Sequence, residues 1–399
     1  MTAWDLAVVG AGPAGSAAAI GALRAAPSLR VALLDRAGFP RDKSCGDGIA
    51  PRVIDLLVGA GVTGIVDDHV PVPRLRLDRG SLGVDREMVR PTWVIPRTEF
   101  DLRLVDAAQA AGATLLRHRV RDVAQGSPVV LDGEVEARTV VGADGAHSSV
   151  RQALGLPAGP MAVALRGYSP TPSHRSNAQI IVYDTARQPA YAWSFDRGDG
   201  LANVGYGELL GGQRARPNRG QLMERLETLL PGATEGGPGC WKGHQLPLST
   251  GRWRPPDGPI LLAGDAAGLV NPMTGEGIYY AVATGLAAGR AAAEALVAGE
   301  PATAGARYAR TTKTLLAGHL RHVAAAAWLC RHPRVIDAGL RAATAEQRVF
   351  DDLVELGLAR GRITAIMVRG LTRELGSATL DRRIRGRRTD HEDTPACES

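Results

Sequence analysis

A glycine-rich turn near the start of the chain constrains the fold more than any other feature. The apolar run 6–9 is followed by Gly10, Gly12 and Gly15 in GxGxxG spacing, and then by the Ala-rich stretch 14–26. This order of strand, turn and helix is typical of a dinucleotide-binding unit. The first glycine permits the tight turn, the second lets a pyrophosphate approach the backbone, and the third lets the helix pack on the strand.

An acidic residue at the expected distance strengthens this prediction. The next apolar run, 31–34, ends at Asp35, twenty residues after Gly15, where a carboxylate can accept hydrogen bonds from an adenosine ribose. Ala14 and Arg36 are predicted to contact the same nucleotide. The glycines of 59–64 repeat the spacing, but they follow a short predicted helix and indicate its end. A single site without a separate nicotinamide domain favours FAD over NAD.

Two distal motifs predict further contacts with the same nucleotide. The apolar strand within 140–145 ends in an Asp-Gly turn that carries Asp144. Another apolar run, 260–263, precedes Gly264 and Asp265, and a helix is expected to start near Gly277. The cofactor contacts predicted from this second motif are Gly264, Asp265, Gly275, Gly277 and Ile278.

Together these motifs resemble those of the flavoprotein group that contains aromatic hydroxylases and geranylgeranyl reductases, over most of the chain. The resemblance implies that Asp265 binds the ribityl hydroxyls of the flavin. The helix near Gly277 would direct its positive end at flavin N1 and O2 and stabilise the anionic reduced form. A helix N-cap is the alternative role for Asp265, and a turn glycine is the alternative for Gly277.

The segment 39–48, FPRDKSCGDG, is similar to the signature of geranylgeranyl and menaquinone reductases. In that family the Cys-Gly step lies beside the flavin, which implies the same place for Cys45 and Gly46. Cys45 is also the predicted catalytic residue, although a buried thiol is an inert apolar filler in most proteins. The resemblance further implies that Arg97 lies against the flavin, with a surface salt bridge as the alternative, and that Val120 lies on a strand that contacts the adenine.

Three aromatic residues are the predicted substrate contacts. Tyr191, Trp193 and Phe195 alternate along one predicted strand and therefore face the same side. They resemble the YxWxF segment of the same family, which implies that they wall an apolar substrate tunnel; core packing is the alternative. That family usually has Pro after the Phe, whereas this chain has Asp196, so the exact substrate shape does not carry over.

The reaction that the resemblance implies is saturation of a C=C bond in an isoprenoid or prenylated substrate, either geranylgeranyl or menaquinone-like. Hydride from reduced FAD is paired with a proton, and the electrons are expected from NAD(P)H or ferredoxin. The main alternative is an FAD monooxygenase, a hydroxylase or epoxidase, because the nucleotide motifs serve both classes. A non-catalytic prenyl-binding escort protein is a third possibility, and a halogenase is disfavoured because its WxWxIP segment is missing.

The predicted fold is α/β, with a Rossmann-like FAD-binding domain, an inserted mixed β-sheet substrate domain and a helical C-terminal region. A chain of 399 residues is too long for one ordinary core. We assign residues 1–70, 100–160 and 253–310 to the FAD-binding domain and 71–99 and 161–252 to the substrate domain. Residues 311–390 are the predicted helical region, and 391–399 a disordered tail.

Composition indicates a soluble bacterial protein of the cytoplasm. The first residues lack a basic leader followed by a long apolar stretch, and charged residues interrupt each Ala-rich segment, so neither a signal peptide nor a spanning helix is expected. The four cysteines show no CxxC spacing, and no metal site is predicted. Arginine outnumbers lysine heavily, as in GC-rich bacterial genomes.

The net charge of +6 arises near the C-terminus, where residues 360–390 carry nine arginines against three acidic residues. Such a basic patch suits peripheral contact with an anionic membrane or with an acidic electron-donor protein. A solvated basic helix is the plainer alternative. Nucleic acid is not an expected partner, because no recognition motif accompanies the charge.

Overall fold

A computed structural model describes residues 2–211, 216–235 and 241–377. The strands are β1 (Thr2–Val9), β2 (Val31–Asp35), β3 (Gly48–Ile49), β4 (Val72–Arg79), β5 (Leu82–Val94), β6 (Thr114–Arg117), β7 (Val123–Ala124), β8 (Val129–Leu131), β9 (Val135–Gly142), β10 (Met161–Pro170), β11 (Ala178–Tyr183), β12 (Ala190–Asp196), β13 (Leu201–Leu209), β14 (Lys242–Pro247) and β15 (Ile260–Leu262). The helices are α1 (Pro13–Ala25), α2 (Pro51–Gly59), α3 (Arg97–Ala110), α4 (Ser149–Ala153), α5 (Arg219–Leu229), α6 (Ile278–Val297), α7 (Ala304–Leu329), α8 (Pro333–Ala345) and α9 (Gln347–Leu358), and residues 365–377 are also helical. The predicted α/β fold is confirmed.

The first sheet has the order β6-β2-β1-β9-β8-β7, with β15 added beside β9. Strands β6, β2, β1, β9 and β15 are parallel, so their carboxyl ends meet at one edge. The fully buried β2 has no polar alternation, as expected for a strand covered on both faces. This edge is where an open α/β sheet binds its ligand.

The second sheet is mixed and has the order β14-β10-β13-β12-β11-β4-β5-β3. Its pairs are antiparallel except for β11 with β4. The sheet therefore takes its strands from 72–94 and 161–247, and also takes β3 from the segment that we assigned to the first domain. Because β3 pairs with β5, it carries the loop before it, residues 44–48, across to the second sheet.

Helices α1 and α6 pack against each other beneath the first sheet, and small residues let their backbones approach. A Cβ added at Gly289 would lie 1.8 Å from the backbone oxygen of Ala18, and one at Gly285 would lie 2.2 Å from that of Ala14. The two helices belong to one large buried apolar cluster. This contact accounts for the glycines and alanines of the two helices.

The C-terminal region is helical, as predicted, and its helices α8 and α9 share a core with the second sheet. Helix α7 crosses the domain boundary that we placed at residue 310. The predicted disordered tail lies outside the described residues. In the three described ranges, no helix is both long and apolar enough to cross a membrane.

Candidate active site

The glycine turn adopts the geometry that its sequence predicts. Gly10 has a φ of 98°, and a Cβ there would lie 2.4 Å from the backbone oxygen of Ala143. A Cβ at Gly15 would lie 1.7 Å from the backbone oxygen of Gly10. At Gly12 the nearest atom would be a side-chain nitrogen of Arg41 at 3.2 Å, so no backbone obstructs this position. Gly12 thus leaves an open cradle at the start of α1.

Asp35 lies at the carboxyl end of β2 and holds the same turn in place. Its two carboxylate oxygens accept hydrogen bonds from the backbone N–H groups of Ala11 and Ala37, each at 2.9 Å. A carboxylate has further lone pairs, so a ligand hydroxyl can still bind. Arg36 is exposed and lines the same cavity, as does Ala14 at the first turn of α1.

Asp144 follows β9 at the same edge of the sheet. Its Oδ2 accepts a hydrogen bond from the N–H of Ser149 at 2.7 Å, whereas its Oδ1 is buried without a partner among the described residues. Burial raises the pKa of this carboxyl group despite its hydrogen bonds. Buried polar atoms normally have partners, so Oδ1 is available to a bound molecule.

Asp265 follows β15 and forms an ion pair with Lys43, whose Nζ lies 3.1 Å from Oδ2. Burial opposes ionisation of Asp265, but the charge and hydrogen bond of the Lys43 ammonium outweigh it, so its pKa lies below the ordinary value. Burial and Lys43 lower the pKa of His244 to about 4, which leaves this ring neutral. Its Nε2 is buried without a partner in the described part of the chain.

The segment after Asp265 places the start of α6 beside the cavity. Gly277 is the N-cap of α6 and Ile278 is its first residue, and both line the cavity. Gly275 has a φ of 74°, and a Cβ there would lie 3.1 Å from the hydroxyl of Tyr191. Gly264 is buried and does not line the cavity, and its N–H donates to the hydroxyl of Thr284 at 2.9 Å.

Arg97 is buried, with 4% of its surface exposed, and forms two hydrogen bonds to Asp101 at 2.6 and 2.8 Å. The salt bridge between Arg97 and Asp101 is therefore buried, not at the surface as the alternative interpretation expected. Arg41 also contacts Asp101, at 3.2 Å. Two guanidinium groups thus converge beside the cradle at Gly12, where a pyrophosphate would add negative charge.

Val120 lines the cavity and is buried, but the prediction that it lies on a strand is wrong. Strand β6 ends at Arg117, and Asp132 holds the following turn by accepting hydrogen bonds from the N–H groups of Arg121 and Asp122 and by contacting His118. These contacts hold Val120 in an irregular segment. A local apolar residue between charged neighbours does not reveal such a long-range turn.

Cys45 and Gly46 lie on a loop that packs against the aromatic residues of β12. A Cβ at Gly46 would lie 3.3 Å from the ring of Phe195 and 3.8 Å from the indole nitrogen of Trp193. Burial raises the pKa of the Cys45 thiol, so it remains protonated near neutrality. Cys45 lines the cavity, and its place beside the flavin stays a prediction from the resemblance.

The three aromatic residues form a continuous stripe along β12. Ring centroids are 6.0 Å apart for Tyr191 and Trp193 and 6.4 Å apart for Trp193 and Phe195. The hydroxyl of Tyr191 donates to the backbone oxygen of Thr274 at 2.5 Å, which ties the stripe to the turn before α6. We call Tyr191, Trp193 and Phe195 the aromatic stripe.

Most of these residues line one large cavity of about 1220 Å³. One arm lies along the carboxyl edge of the first sheet, and the other runs between the second sheet and the C-terminal helices. The second arm is mostly apolar, with Leu75, Ile336, Leu353 and Met367 in its walls. The aromatic stripe lies where the two arms meet, beside Cys45.

Comparison with known proteins identifies the family. Residues 3–176 match a family model described as an FAD binding domain. The chain is 36% identical to menaquinone reductase from Mycolicibacterium smegmatis, over 74% of this chain and 76% of that protein. The chain belongs to the menaquinone and geranylgeranyl reductase family of FAD-dependent oxidoreductases. Geranylgeranyl diphosphate reductase from Rhodobacter capsulatus is 33% identical over 75% of this chain and 77% of its own length.

The fold of this reductase family is also seen in solved structures. A geranylgeranyl bacteriochlorophyll reductase-like protein from Thermoplasma acidophilum superposes with a TM-score of 0.72, covering 94% of this chain and 96% of that one. At 22% identity, this likeness shows the fold alone. The predicted family is confirmed by the relatives of similar sequence, and the predicted FAD cofactor by the matching FAD binding domain.

The residues of the first arm fit FAD. Gly12 leaves a backbone cradle that suits a pyrophosphate, and the unpartnered atoms on Asp144 and His244 are free for a polar ligand. Asp35 and Asp265 are the carboxylates that would hold the ribose and ribityl hydroxyls. The start of α6 would face the pyrimidine end of the flavin with the positive end of its dipole.

Three cavity residues, Arg41, Lys43 and His244, were not among the predicted site residues. Arg41 and Lys43 belong to the signature segment 39–48, and their charge was a usable signal for phosphate or carboxylate partners. His244 lies on β14 outside every motif, so nothing in the sequence indicated it. Its position depends on strand pairing with β10.

Proposed function

We propose that this protein uses FAD to saturate a C=C bond in the isoprenoid chain of a menaquinone-like lipid. The observation that carries the proposal is the continuity of the cavity: its nucleotide arm opens, at the aromatic stripe, into a long apolar arm. A chain of isoprene units matches such an arm in polarity and shape. The names of the relatives support the same substrate class.

The residues at the junction suit reduction of an unactivated alkene. Bound FAD, once reduced, supplies a hydride to one alkene carbon. The other carbon needs a proton, and we propose the protonated Cys45 thiol as its immediate source, since this thiol lines the cavity beside the stripe. The faces of Tyr191 and Trp193 would stabilise developing positive charge by cation–π attraction.

The same proposal includes a membrane as the place where the substrate enters. Trp328 and Val368 line the apolar arm, yet they are 59% and 48% exposed, so the arm reaches the surface there. Arg331 lines the same end, and Arg334 and Arg369 are exposed nearby in the chain. An apolar rim with arginines around it suits an anionic lipid surface, which also holds a menaquinone-like substrate.

An anaerobic turnover experiment tests the proposed reaction. The FAD-loaded protein is reduced with dithionite and mixed with menaquinone or with geranylgeranyl diphosphate, and the products are weighed by mass spectrometry. We expect flavin reoxidation without oxygen and a gain of two mass units that remains after the quinone ring has been reoxidised, since reduction of the ring to the quinol would add two mass units by itself. Turnover only in air with a gain of sixteen would instead establish a monooxygenase, and absence of bound flavin would favour a prenyl-binding escort.

A further inference from the structure

Asp47 is an acidic residue buried where loop 44–48 meets the second sheet. Its side chain is fully buried, and its φ of 58° is in the left-handed region that side chains adopt at an energetic cost. The surrounding structure must therefore hold this residue firmly. None of the FAD or substrate contacts assigned above uses its carboxylate.

The carboxylate is the end point of a directed chain of hydrogen bonds. Oδ2 of Asp47 accepts from the Tyr168 hydroxyl at 2.5 Å and from Nδ2 of Asn203 at 2.8 Å. Nδ2 of Asn203 also donates to the backbone oxygen of Cys45 at 2.8 Å. Oδ1 of Asn203 accepts from the Trp193 indole at 2.8 Å. Because an indole N–H only donates, the orientation of the Asn203 amide follows from the chemistry.

This chain of bonds connects the two arms of the cavity. Tyr168, Asn203 and Trp193 lie on β10, β13 and β12, which are adjacent strands of the second sheet. Asp47 lies two residues from Cys45 on the loop beside the nucleotide arm. The Asp47 carboxylate thus connects this loop directly to β10 and β13, and through Asn203 to β12. The indole of Trp193 that it reaches in this way is the middle ring of the aromatic stripe.

We propose that Asp47 is a positioning residue for the substrate, acting through Asn203 on the indole of Trp193. The inference rests on the proposed function in one respect, namely that the isoprenoid chain lies along the aromatic stripe. With the carboxylate in place, the amide oxygen of Asn203 faces the indole and fixes the plane of its ring. Without it, the Asn203 amide keeps only the Cys45 backbone oxygen as an acceptor for its NH₂ group, so the amide and the indole bonded to it are held less firmly.

The charge state of Asp47 gives the arrangement a pH dependence. Burial raises the pKa of Asp47 to about 6. Below that pH the carboxyl group is protonated and accepts more weakly from Asn203, while Oδ1 lacks a partner among the described residues. The surroundings of Trp193 should change accordingly. The titratable and charged groups that face Asp47 are Arg166 and Tyr168 on β10, Arg97 on α3 and Cys45 on its own loop.

The test reads Trp193 directly in the oxidised, FAD-loaded full chain. Subtracting the near-ultraviolet circular dichroism of Trp193→Phe from that of the wild type isolates this indole. The difference signal is expected to titrate with a midpoint of about 6, and the titration should vanish in Asp47→Asn. With menaquinone as substrate, Asp47→Asn should raise KM on the order of tenfold and change kcat by less than about twofold.

Two further variants and a control make the result decisive. Tyr168→Phe removes one donor to the carboxylate, so the midpoint should move upward even if Asp47→Asn fails to fold. The double variant Asp47→Asn/Asn203→Ala should be no worse than Asn203→Ala alone, because the two residues act in series. Asp85→Asn, which breaks a surface pair with Arg74, should leave the titration unchanged.

An unaltered Trp193 titration in Asp47→Asn, an unmoved midpoint in Tyr168→Phe or additive losses in the double variant would overturn the inference. The titration is read without substrate, so it is independent of the turnover experiment. Failure of menaquinone and geranylgeranyl diphosphate to react, with the titration intact, would reject the proposed function and leave the role of Asp47 in fixing the indole.

Discussion

At the scale of single residues, Glu276 shows how the cavity controls protonation. Its Oε1 accepts a hydrogen bond from the N–H of Tyr279 at 2.8 Å, just inside α6. Removal from water raises its pKa from 4.5 to about 7. Between these values the folded protein keeps a proton that the unfolded chain has lost. The contribution of Glu276 to the free energy of unfolding therefore falls as pH rises through this range.

Replacing Glu276 with Gln should remove this dependence while keeping the acceptor for the Tyr279 N–H. We expect the melting temperature of the variant, relative to wild type, to rise by about 3 °C between about pH 5 and pH 8. Thermal denaturation of the purified full chain at several pH values measures it. Glu300 is exposed, so Glu300→Gln is the control and should show the same dependence of melting temperature on pH as the wild type. The same wild-type dependence in Glu276→Gln would contradict the proposed titration of Glu276.

Residue assignments could be predicted wherever the chemistry lies in a local motif. Gly12 and Asp35 belong to one continuous strand-turn-helix-strand unit, and the structure places both in the nucleotide arm. Lys43 and Asp265, in contrast, are 222 residues apart and meet only because the sheet brings β15 next to β9. The same holds for Asn203, whose neighbours in the sequence carry no sign of its contact with Asp47. Long-range pairs of this kind need the fold.

At the scale of elements, the contact between α1 and α6 determines the position of the glycine turn. The Cβ that an alanine would add at Gly289 lies 1.8 Å from the backbone oxygen of Ala18, so the helices would have to separate. Backbone atoms cannot move aside as a flexible side chain can. Because α1 begins at the cradle that would hold the pyrophosphate, separation should disturb FAD binding as well as packing.

We therefore expect Gly289→Ala to reduce the free energy of unfolding by about 2 kcal/mol or more and to weaken FAD retention. Denaturant unfolding and release of flavin fluorescence on dilution measure the two effects. Gly339→Ala in α8 is the matched control, since a Cβ there meets nothing within 4 Å. The free energy of unfolding of Gly339→Ala should rise by about 0.5–1 kcal/mol, because alanine has a higher helix propensity than glycine. Equal stability of the two variants would contradict this account.

The main elements could be predicted from periodicity and turn chemistry, and the exceptions have physical causes. Helix α2 begins at Pro51 and ends at Gly59, as its terminal residues indicate. The error at Val120 arose because β6 stops at Arg117, where the Asp132 carboxylate organises a turn through bonds to distant backbone groups. The two-residue strand β3 is too short to leave a pattern, yet it carries loop 44–48 to the second sheet.

At the scale of the whole molecule, the cavity is a product of assembly that no segment contains by itself. Its nucleotide arm comes from the first sheet, the aromatic stripe from β12, and its far end from α7, α8, α9 and helix 365–377. The sequence predicts each of these parts but not their continuity, which depends on packing between distant segments. The apolar end opens beside exposed Trp328, which makes that surface the entrance that we propose for a membrane lipid.

Trp328→Ser should therefore weaken binding to vesicles of phosphatidylglycerol and phosphatidylcholine, because an interfacial aromatic side chain is lost. We expect vesicle affinity in a sedimentation assay to fall about fivefold or more, and added salt to weaken the wild type further by screening its arginines. Val89→Ser is the matched control, since Val89 is 79% exposed on β5 away from the cavity. An equal loss of vesicle affinity in both variants would indicate nonspecific adsorption of exposed apolar side chains. A loss in Trp328→Ser alone would place the membrane contact at the entrance of the apolar arm.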